Sequence, residues 1–92
     1  MLSFTWNEDK AVENYAKHGV SFELATLVFR DPFAAERVDN RRDYGEERFI
    51  IIGMARDVVL FVVYTERDDH VRLISARRAT KHESDDYAKQ AF

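Results

Sequence analysis

The sequence contains no cysteine, one proline and three glycines among its 92 residues. Without cysteine, neither a disulfide framework nor a thiolate metal site can form, and a reducing cytoplasm is the compartment that this composition favours. The longest apolar runs are too short to span a bilayer, and the N-terminus lacks the basic segment and apolar core of a secretory signal. We therefore expect a cytoplasmic protein with no membrane partner.

Motifs of the common enzyme classes are also absent. There is no glycine-rich phosphate loop, no G-x-S-x-G turn and no H-E-x-x-H pair, so nucleotide, serine-hydrolase and zinc chemistry have no support. The histidines, His18, His70 and His82, lie far apart, and a surface or capping role fits each better than metal binding. The sequence thus predicts no metal and no cofactor.

Composition favours one globular domain over residues 1–92, because 46% of the residues are apolar and 34% are charged. The net charge of -3 argues against a nucleic-acid binder, since such domains usually carry a basic excess. The distribution of charge points the other way, because residues 70–82 contain four Lys or Arg and no carboxylate. A local basic patch on an acidic protein is the expectation.

Hydrophobic spacing predicts a short strand and then two helices in the first third of the chain. "LSFTW" alternates apolar and polar residues, as half-buried strands do. Asn7 can cap a helix that ends at Gly19, with Val12, Tyr15 and Ala16 at helical spacing and facing the core. Ser21 can cap a second helix, which the "DP" pair at 31–32 ends.

The rest of the chain is predicted to form a sheet followed by one helix. "FAAERVDN" suits a short edge strand, while residues 47–54, 58–67 and 71–78 suit an antiparallel meander with hairpin-length loops. The run "VVLFVVY" is apolar throughout, so its strand belongs at the centre of the sheet. Thr80 and Glu83 fit a capping box that starts the last helix. The fold class is α+β.

The adjacent arginines at the end of the third meander strand are the sharpest chemical feature. Strict strand alternation puts Arg77 on one face with Val71, Leu73 and Ser75, and Arg78 on the other face with Arg72, Ile74 and Ala76. A guanidinium there, beside a helix N-terminus, suits a phosphate; salt bridges to nearby carboxylates are the alternative. In the same meander, Arg48 lies at the opposite end, near Arg67 and Arg72.

The whole chain resembles the BrnT family of bacterial type II toxins. The stretches that carry this resemblance are "FTWNEDKAVENYAKHGVSFELA", "DPFAAERVDN", "GEERFIIIGMA" and "VRLISARRATKHESDDY". The resemblance implies a RelE-like fold, with two N-terminal helices on an antiparallel sheet and a C-terminal helix, and a ribonuclease that arrests translation. It also implies a BrnA-like antitoxin with a ribbon-helix-helix segment. DNA would then be bound only through the toxin–antitoxin complex, which could contain a toxin dimer.

RNA cleavage without a metal needs the 2′-hydroxyl to attack the adjacent phosphorus while fixed cations meet the growing negative charge. Arg77 is the first choice for that cation, since an arginine stays protonated. The candidate catalytic residues are Arg77, Arg78, Arg48, Glu47, Lys17 and His18. The candidate RNA-binding residues are Arg56, Lys81, His82 and Tyr64.

A second hypothesis needs no catalysis. The chain could instead be a binding module whose sheet edge and acidic surface dock a small DNA-binding partner with a basic arm. Growth arrest and loss of RNA integrity on expression would distinguish the enzyme from the module.

Overall fold

Three helices, one 3-10 helix and five strands form along residues 2–90, the part of the chain that the computed structural model describes. Their order is β1 (Phe4–Thr5), α1 (Glu8–His18), α2 (Phe22–Ala25), a 3-10 helix (Thr26–Arg30), β2 (Ala35–Val38), β3 (Phe49–Ala55), β4 (Val58–Arg67), β5 (His70–Arg78) and α3 (Lys81–Lys89). Within residues 2–90, no helix is long and apolar enough to cross a membrane.

The strands make one mixed sheet in the order β1-β5-β4-β3-β2. The three predicted meander strands are antiparallel neighbours, and the all-apolar β4 lies at the centre as predicted. The edge strand β1 pairs with β5 in parallel, so the prediction of a wholly antiparallel sheet was wrong there. The reason is that the chain leaves β1 and continues as α1 along the same edge of β5.

All three helices begin where the predicted capping residues place them, and α1 also ends as predicted. The Asn7 side chain accepts from the Lys10 amide, and Gly19 closes α1 with a φ of 68°. Thr80 and Glu83 form both hydrogen bonds of a capping box at the start of α3. The second helix is shorter than predicted, because the chain tightens into the 3-10 turn before Asp31.

Apolar residues bury both faces of the sheet. On the first, which we call the α2 face, Ile51, Leu60 and Val62 pack with Phe22 and Val28. On the second, which we call the α3 face, a smaller cluster packs against Tyr87 of α3; its members are Ile50, Ile52, Phe61 and Val63. Burial on both sides explains why β3 and the first seven residues of β4 contain no charged side chain.

A bulge in β5 changes which side chains share a face. Val63 pairs with Ser75 and Tyr64 pairs with Leu73, so Ile74 is an extra residue. One added residue reverses the alternation that follows it. Leu73 therefore lies in the α2-face core, while Ser75 and Arg77 lie on the α3 face opposite Val63 and Phe61.

The predicted face groupings of Arg77 and Arg78 were accordingly wrong in part. Arg77 shares a face with Ser75, as predicted, but not with Val71 or Leu73, which are buried with Ala76 in the α2-face core. Strict alternation failed because of the bulge at Ile74, and nothing in the sequence indicates that bulge.

Helix α1 also faces the sheet with an unexpected side. Val12 is 69% exposed and Tyr15 is 59% exposed, whereas Asn14 is buried. The Asn14 amide donates to the Ala76 carbonyl (2.8 Å) and the Val20 carbonyl (3.0 Å), and its oxygen accepts from the Ala76 N–H (3.1 Å). Because this side chain satisfies the edge of β5 beyond β1, the polar residue lies inside and the apolar stripe outside.

Candidate functional site

Cations from three elements surround a hollow at one end of the meander. Arg48 precedes β3, Arg67 ends β4 and Arg72 lies near the start of β5, so the antiparallel register brings all three to the same end. Lys10 of α1 completes the rim of this hollow, whose volume is about 180 Å³. The predicted position of Arg48 beside Arg67 and Arg72 is confirmed.

A second hollow of about 170 Å³ continues from the first between α1 and β5. Lys10 and Lys17 are seven residues apart, two helical turns, and therefore lie on one flank of α1. His18 lines the same hollow, and Ser75 of β5 lies across from them. The two hollows share Lys10 and Ile74, so we treat them as one basic groove.

Positive charge prevails in this groove although the protein is acidic overall. Its lining contains five Lys or Arg side chains and His18, against the carboxylates of Glu13 and Glu46. Glu46 is 3.3 Å from Arg48 and 3.4 Å from Arg67, and the Arg48 guanidinium also lies 4.2 Å from the centre of the Tyr44 ring. Within residues 2–90, three of the lining cations form no ion pair: Lys10, Lys17 and Arg72.

Arg77 lies farther along β5 than the residues that line the basic groove. It lies two residues beyond Ser75 on the α3 face, and its guanidinium is 4.0 Å from the centre of the Phe61 ring. Two of its N–H groups donate to the Glu83 carboxylate at 2.8 and 3.0 Å, and its side chain is 32% exposed. The hydrogen bond from Arg77 is the main reason that the pKa of Glu83 is lowered. Since Glu83 belongs to the capping box, this ion pair ties β5 to α3.

A second arginine approaches the same aromatic ring. The Arg41 guanidinium lies 5.5 Å from the Phe61 centre and donates twice to the buried Asp39 carboxylate, at 2.8 Å each. Tyr44 donates to the same carboxylate at 3.0 Å. These bonds, the one from Arg41 above all, hold the pKa of Asp39 far below its usual range. Phe61 is thus flanked by two guanidiniums, each held by a carboxylate.

The remaining candidates are spread over the surface. Lys81 and His82 are 89% and 87% exposed at the start of α3 and pair with Asp85 and Asp86. The other exposed candidates stand at element ends: Arg56 in the β3–β4 turn, Arg78 at the end of β5 and Glu47 before β3. The groove brings together only Lys17, His18 and Arg48, with Arg77 beside it.

Tyr64 is the one candidate whose ring is enclosed. It is 4% exposed on the α2 face, between Phe29 (5.1 Å, edge-on) and Phe49 (5.4 Å, stacked). Its hydroxyl donates to Glu36, and burial, followed by this bond, raises the pKa of the phenol. The Tyr64 ring therefore has no free face on which an RNA base could stack, and we give it no part in RNA binding.

Some groove residues were given no functional role in the sequence analysis, namely Lys10, Arg67, Arg72 and Ser75. The seven-residue spacing of Lys10 and Lys17 was a usable signal, because it places two cations on one helical flank. Ser75 had no such signal, since only the bulge turns it toward the groove. Within residues 2–90, no three His, Asp or Glu side chains gather in a metal-binding arrangement.

A protein-family model described as a ribonuclease toxin, BrnT, of type II toxin-antitoxin systems matches residues 6–83. The chain belongs to the BrnT family. The matched range contains every residue that lines the basic groove as well as the Arg77–Glu83 pair. Membership of a BrnT toxin in a type II system implies an antitoxin partner. Among curated proteins, none matches the chain.

Proposed function

We propose that the chain is an endoribonuclease that cleaves RNA without a metal ion and thereby arrests translation. The observation that carries this proposal is the basic groove, where five Lys or Arg side chains lie close together although the protein is acidic overall. RNA is a chain of phosphate charges, and its binding gains most of its free energy from such contacts. The family's description as ribonuclease toxins agrees with this substrate.

In the proposed reaction the 2′-oxygen bonds to the adjacent phosphorus and the bond from phosphorus to the 5′-oxygen breaks. His18 takes the proton from the 2′-hydroxyl, since imidazole is the commonest proton-transfer group in catalysis. Lys17 gives a proton to the leaving 5′-oxygen. The products are a 2′,3′-cyclic phosphate and a 5′-hydroxyl. The positions of Lys17 and His18 support these roles, because both side chains line one hollow together with Ser75.

Fixed cations would stabilise the charge that grows on the phosphate oxygens. Arg72 and Lys10 suit this role because neither is neutralised by an ion pair within residues 2–90. Arg77 keeps part of its capacity: guanidinium has five N–H groups, and Glu83 and the Arg78 carbonyl accept three of its hydrogen bonds. We assign Arg77 to the phosphate at the far end of the groove.

The other candidates extend the proposed RNA path beyond the groove. At the Arg77 end, the side chains that would hold flanking phosphates are those of Arg56, Arg78, Lys81 and His82. At the opposite end, Arg48 would hold the preceding nucleotide, with Glu47 beside it. Exposure of these side chains, with Arg48 partly buried, supports contact with a long single strand.

The partner in this proposal is a BrnA-type antitoxin that carries a ribbon-helix-helix segment and silences the toxin. The fold is then RelE-like, and operator DNA is bound by the complex through the antitoxin. The three-helix, five-strand α+β architecture agrees with this assignment. A toxin dimer within the complex belongs to the same proposal.

The test is cleavage of a synthetic RNA oligonucleotide by the purified chain in the presence of EDTA. We expect fragments that end in a 2′,3′-cyclic phosphate, and no cleavage at a position where the 2′-hydroxyl is replaced by hydrogen. An Arg72→Ala variant, purified in the same way, serves as the control for contaminating nuclease. Uncut RNA, together with normal growth and intact RNA in cells that express the chain alone, would contradict the proposal.

One observation favours the second candidate function, a non-catalytic module that docks a small DNA-binding partner. Val12 and Tyr15 present an exposed apolar surface on α1. This surface lies on the flank of α1 that faces away from Lys10 and Lys17, so docking and catalysis are compatible in one chain. The same cleavage assay distinguishes a toxin from a module, because a module leaves RNA intact.

A further inference from the structure

An apolar groove of about 280 Å³ lies between α1 and α2. Its side chains come from the end of the first strand segment and from the two helices; they are Trp6, Glu8, Ala11, Val12, Tyr15, Ser21, Phe22 and Glu23. The Trp6 ring packs edge-on against Phe22 at 5.8 Å and forms the floor. The groove is distinct from the basic groove, which lies on the other flank of α1.

Two apolar side chains at the rim of this groove are largely exposed to solvent. Val12 is 69% exposed and Tyr15 is 59% exposed, although they lie three residues apart, the spacing that normally turns a helix toward a core. Asn14 occupies the inward position instead. A contiguous apolar rim of this kind marks a site of protein interaction.

The charge of the apolar groove narrows the choice of partner. Glu8 and Glu23 line it, and no Lys or Arg within residues 2–90 does. The Trp6 indole N–H donates to Glu8 at 3.0 Å, which fixes that carboxylate at the rim. An RNA strand would be repelled here, whereas a peptide with Lys or Arg beside its apolar residues would be attracted.

We propose that the antitoxin of this type II system docks in the apolar groove through an amphipathic helix whose apolar side chains are flanked by Lys or Arg. Such a helix inserts side chains at three- and four-residue spacing, which suits a groove floored by Trp6 and Phe22. The inference rests on the proposed function, because it takes the antitoxin as the partner. It adds the surface and the chemistry by which that partner is held.

The experiment compares three arginine variants of the full chain. Val12→Arg and Tyr15→Arg place a cation in the apolar groove, where it opposes a basic partner and removes apolar contact. Phe33→Arg is the matched control, because Phe33 is 64% exposed and lies outside the apolar groove. The probe is the purified product of the reading frame adjacent to the gene, titrated against each variant by calorimetry.

We expect the two groove variants to lose roughly ten-fold or more in affinity, as central apolar contacts do, and the control to stay within about two-fold. In cells, Val12→Arg and Tyr15→Arg should arrest growth even when the adjacent reading frame is co-expressed. Equal affinity of all variants for the probe would overturn the docking proposal and leave the proposed ribonuclease function unaffected. Gel filtration that shows wild-type dimers, dissociated by Val12→Arg, would overturn it in favour of a second copy of the chain.

Failure of the proposed function gives a different pattern. If the wild-type chain neither binds the probe nor is neutralised by it, the partner assignment fails and the docking proposal fails with it. If the wild-type chain binds the probe but cleaves no RNA, the ribonuclease proposal fails and the docking proposal is judged on the variants. RNA cleavage by Val12→Arg should equal that of the wild type.

Discussion

The two flanks of α1 differ in chemistry although they belong to one eleven-residue helix. One flank, with Lys10, Lys17 and His18, forms a wall of the basic groove. The other, with Val12 and Tyr15, forms a wall of the apolar groove. The helix is attached to the sheet between them by a polar side chain rather than by its apolar stripe.

This difference shows that a periodic apolar pattern does not by itself determine which side of a helix meets the sheet. In α1 the pattern predicts a core-facing stripe, yet the fold leaves that stripe outside because Asn14 satisfies the edge of β5.

Removal of two cations from the basic groove should disable that groove and leave the apolar groove intact. In Arg48→Ala/Arg72→Ala we expect kcat/KM for RNA to fall by about a hundred-fold or more, because each charge-assisted contact to phosphate is worth about 1.5–3 kcal/mol. Affinity for the adjacent gene product should be unchanged. The control is Arg30→Ala, an exposed cation outside the groove. A double variant that cleaves RNA within about two-fold of the wild-type rate would show that the basic groove takes no part in cleavage.

Substitution of Asn14 should damage both flanks together. Asn14→Ala removes three hydrogen bonds and leaves the Ala76 amide without its partner. We expect the free energy of unfolding to fall by about 2–4 kcal/mol, measured by urea denaturation. Glu13→Ala, at the exposed neighbouring position, should change it by less than about 0.5 kcal/mol. A loss below about 1 kcal/mol would mean that α1 is held by other contacts.

Neutralising Glu83 tests whether Arg77 depends on α3. At a pH of about 7, Glu83→Gln should lower the free energy of unfolding by about 1–2 kcal/mol, since the bidentate pair is half-buried. The folded pKa of Glu83 is lowered, so its contribution is present above the ordinary carboxyl pKa and is lost as pH falls through the folded value. The difference between variant and wild type should therefore shrink with acidification. A difference independent of pH would contradict this account.

An exposed cation on α3 should matter least. Lys81 is 89% exposed and pairs with Asp85 across one helical turn, a solvent-exposed contact that adds little to stability. We expect Lys81→Ala to unfold at nearly the wild-type urea concentration and to lower RNA cleavage by less than about three-fold. The control is Lys89→Ala, another exposed cation of α3. A larger loss of cleavage would mean that Lys81 contributes more than a contact to a flanking phosphate.

The predictable part of the fold was what local residues determine. Asn7, Ser21 and Thr80 cap helices through bonds within three residues, and the meander strands follow from runs of Val, Ile and Phe. The parts that were missed depend on distant pairing. The Ile74 bulge exists because of how β5 meets β4, and Asn14 turns inward because of a β5 backbone 62 residues away.

The same distinction applies to the candidate site. Arg48, Lys17 and His18 could be singled out as individual residues, but their common groove arises only when α1 lies against the edge of β5. Arg77 was located by its adjacent arginine and helix start, while its partner Glu83 was identified only as a cap. The sequence analysis allowed for salt bridges from the two arginines to nearby carboxylates, and the Arg77–Glu83 ion pair is one of these.

Backbone hydrogen bonds along one edge of the sheet limit where a strand of another chain could be added. Along β5, Ser3 and Asn14 already hold the outward backbone groups of Val71 and Ala76, so an incoming strand finds those positions taken. The opposite edge, β2, is four residues long and carries two charged residues, Glu36 and Arg37, which discourage edge-to-edge pairing of copies. Neither edge of the sheet therefore offers a long, open row of backbone groups with which a second copy of the chain could pair.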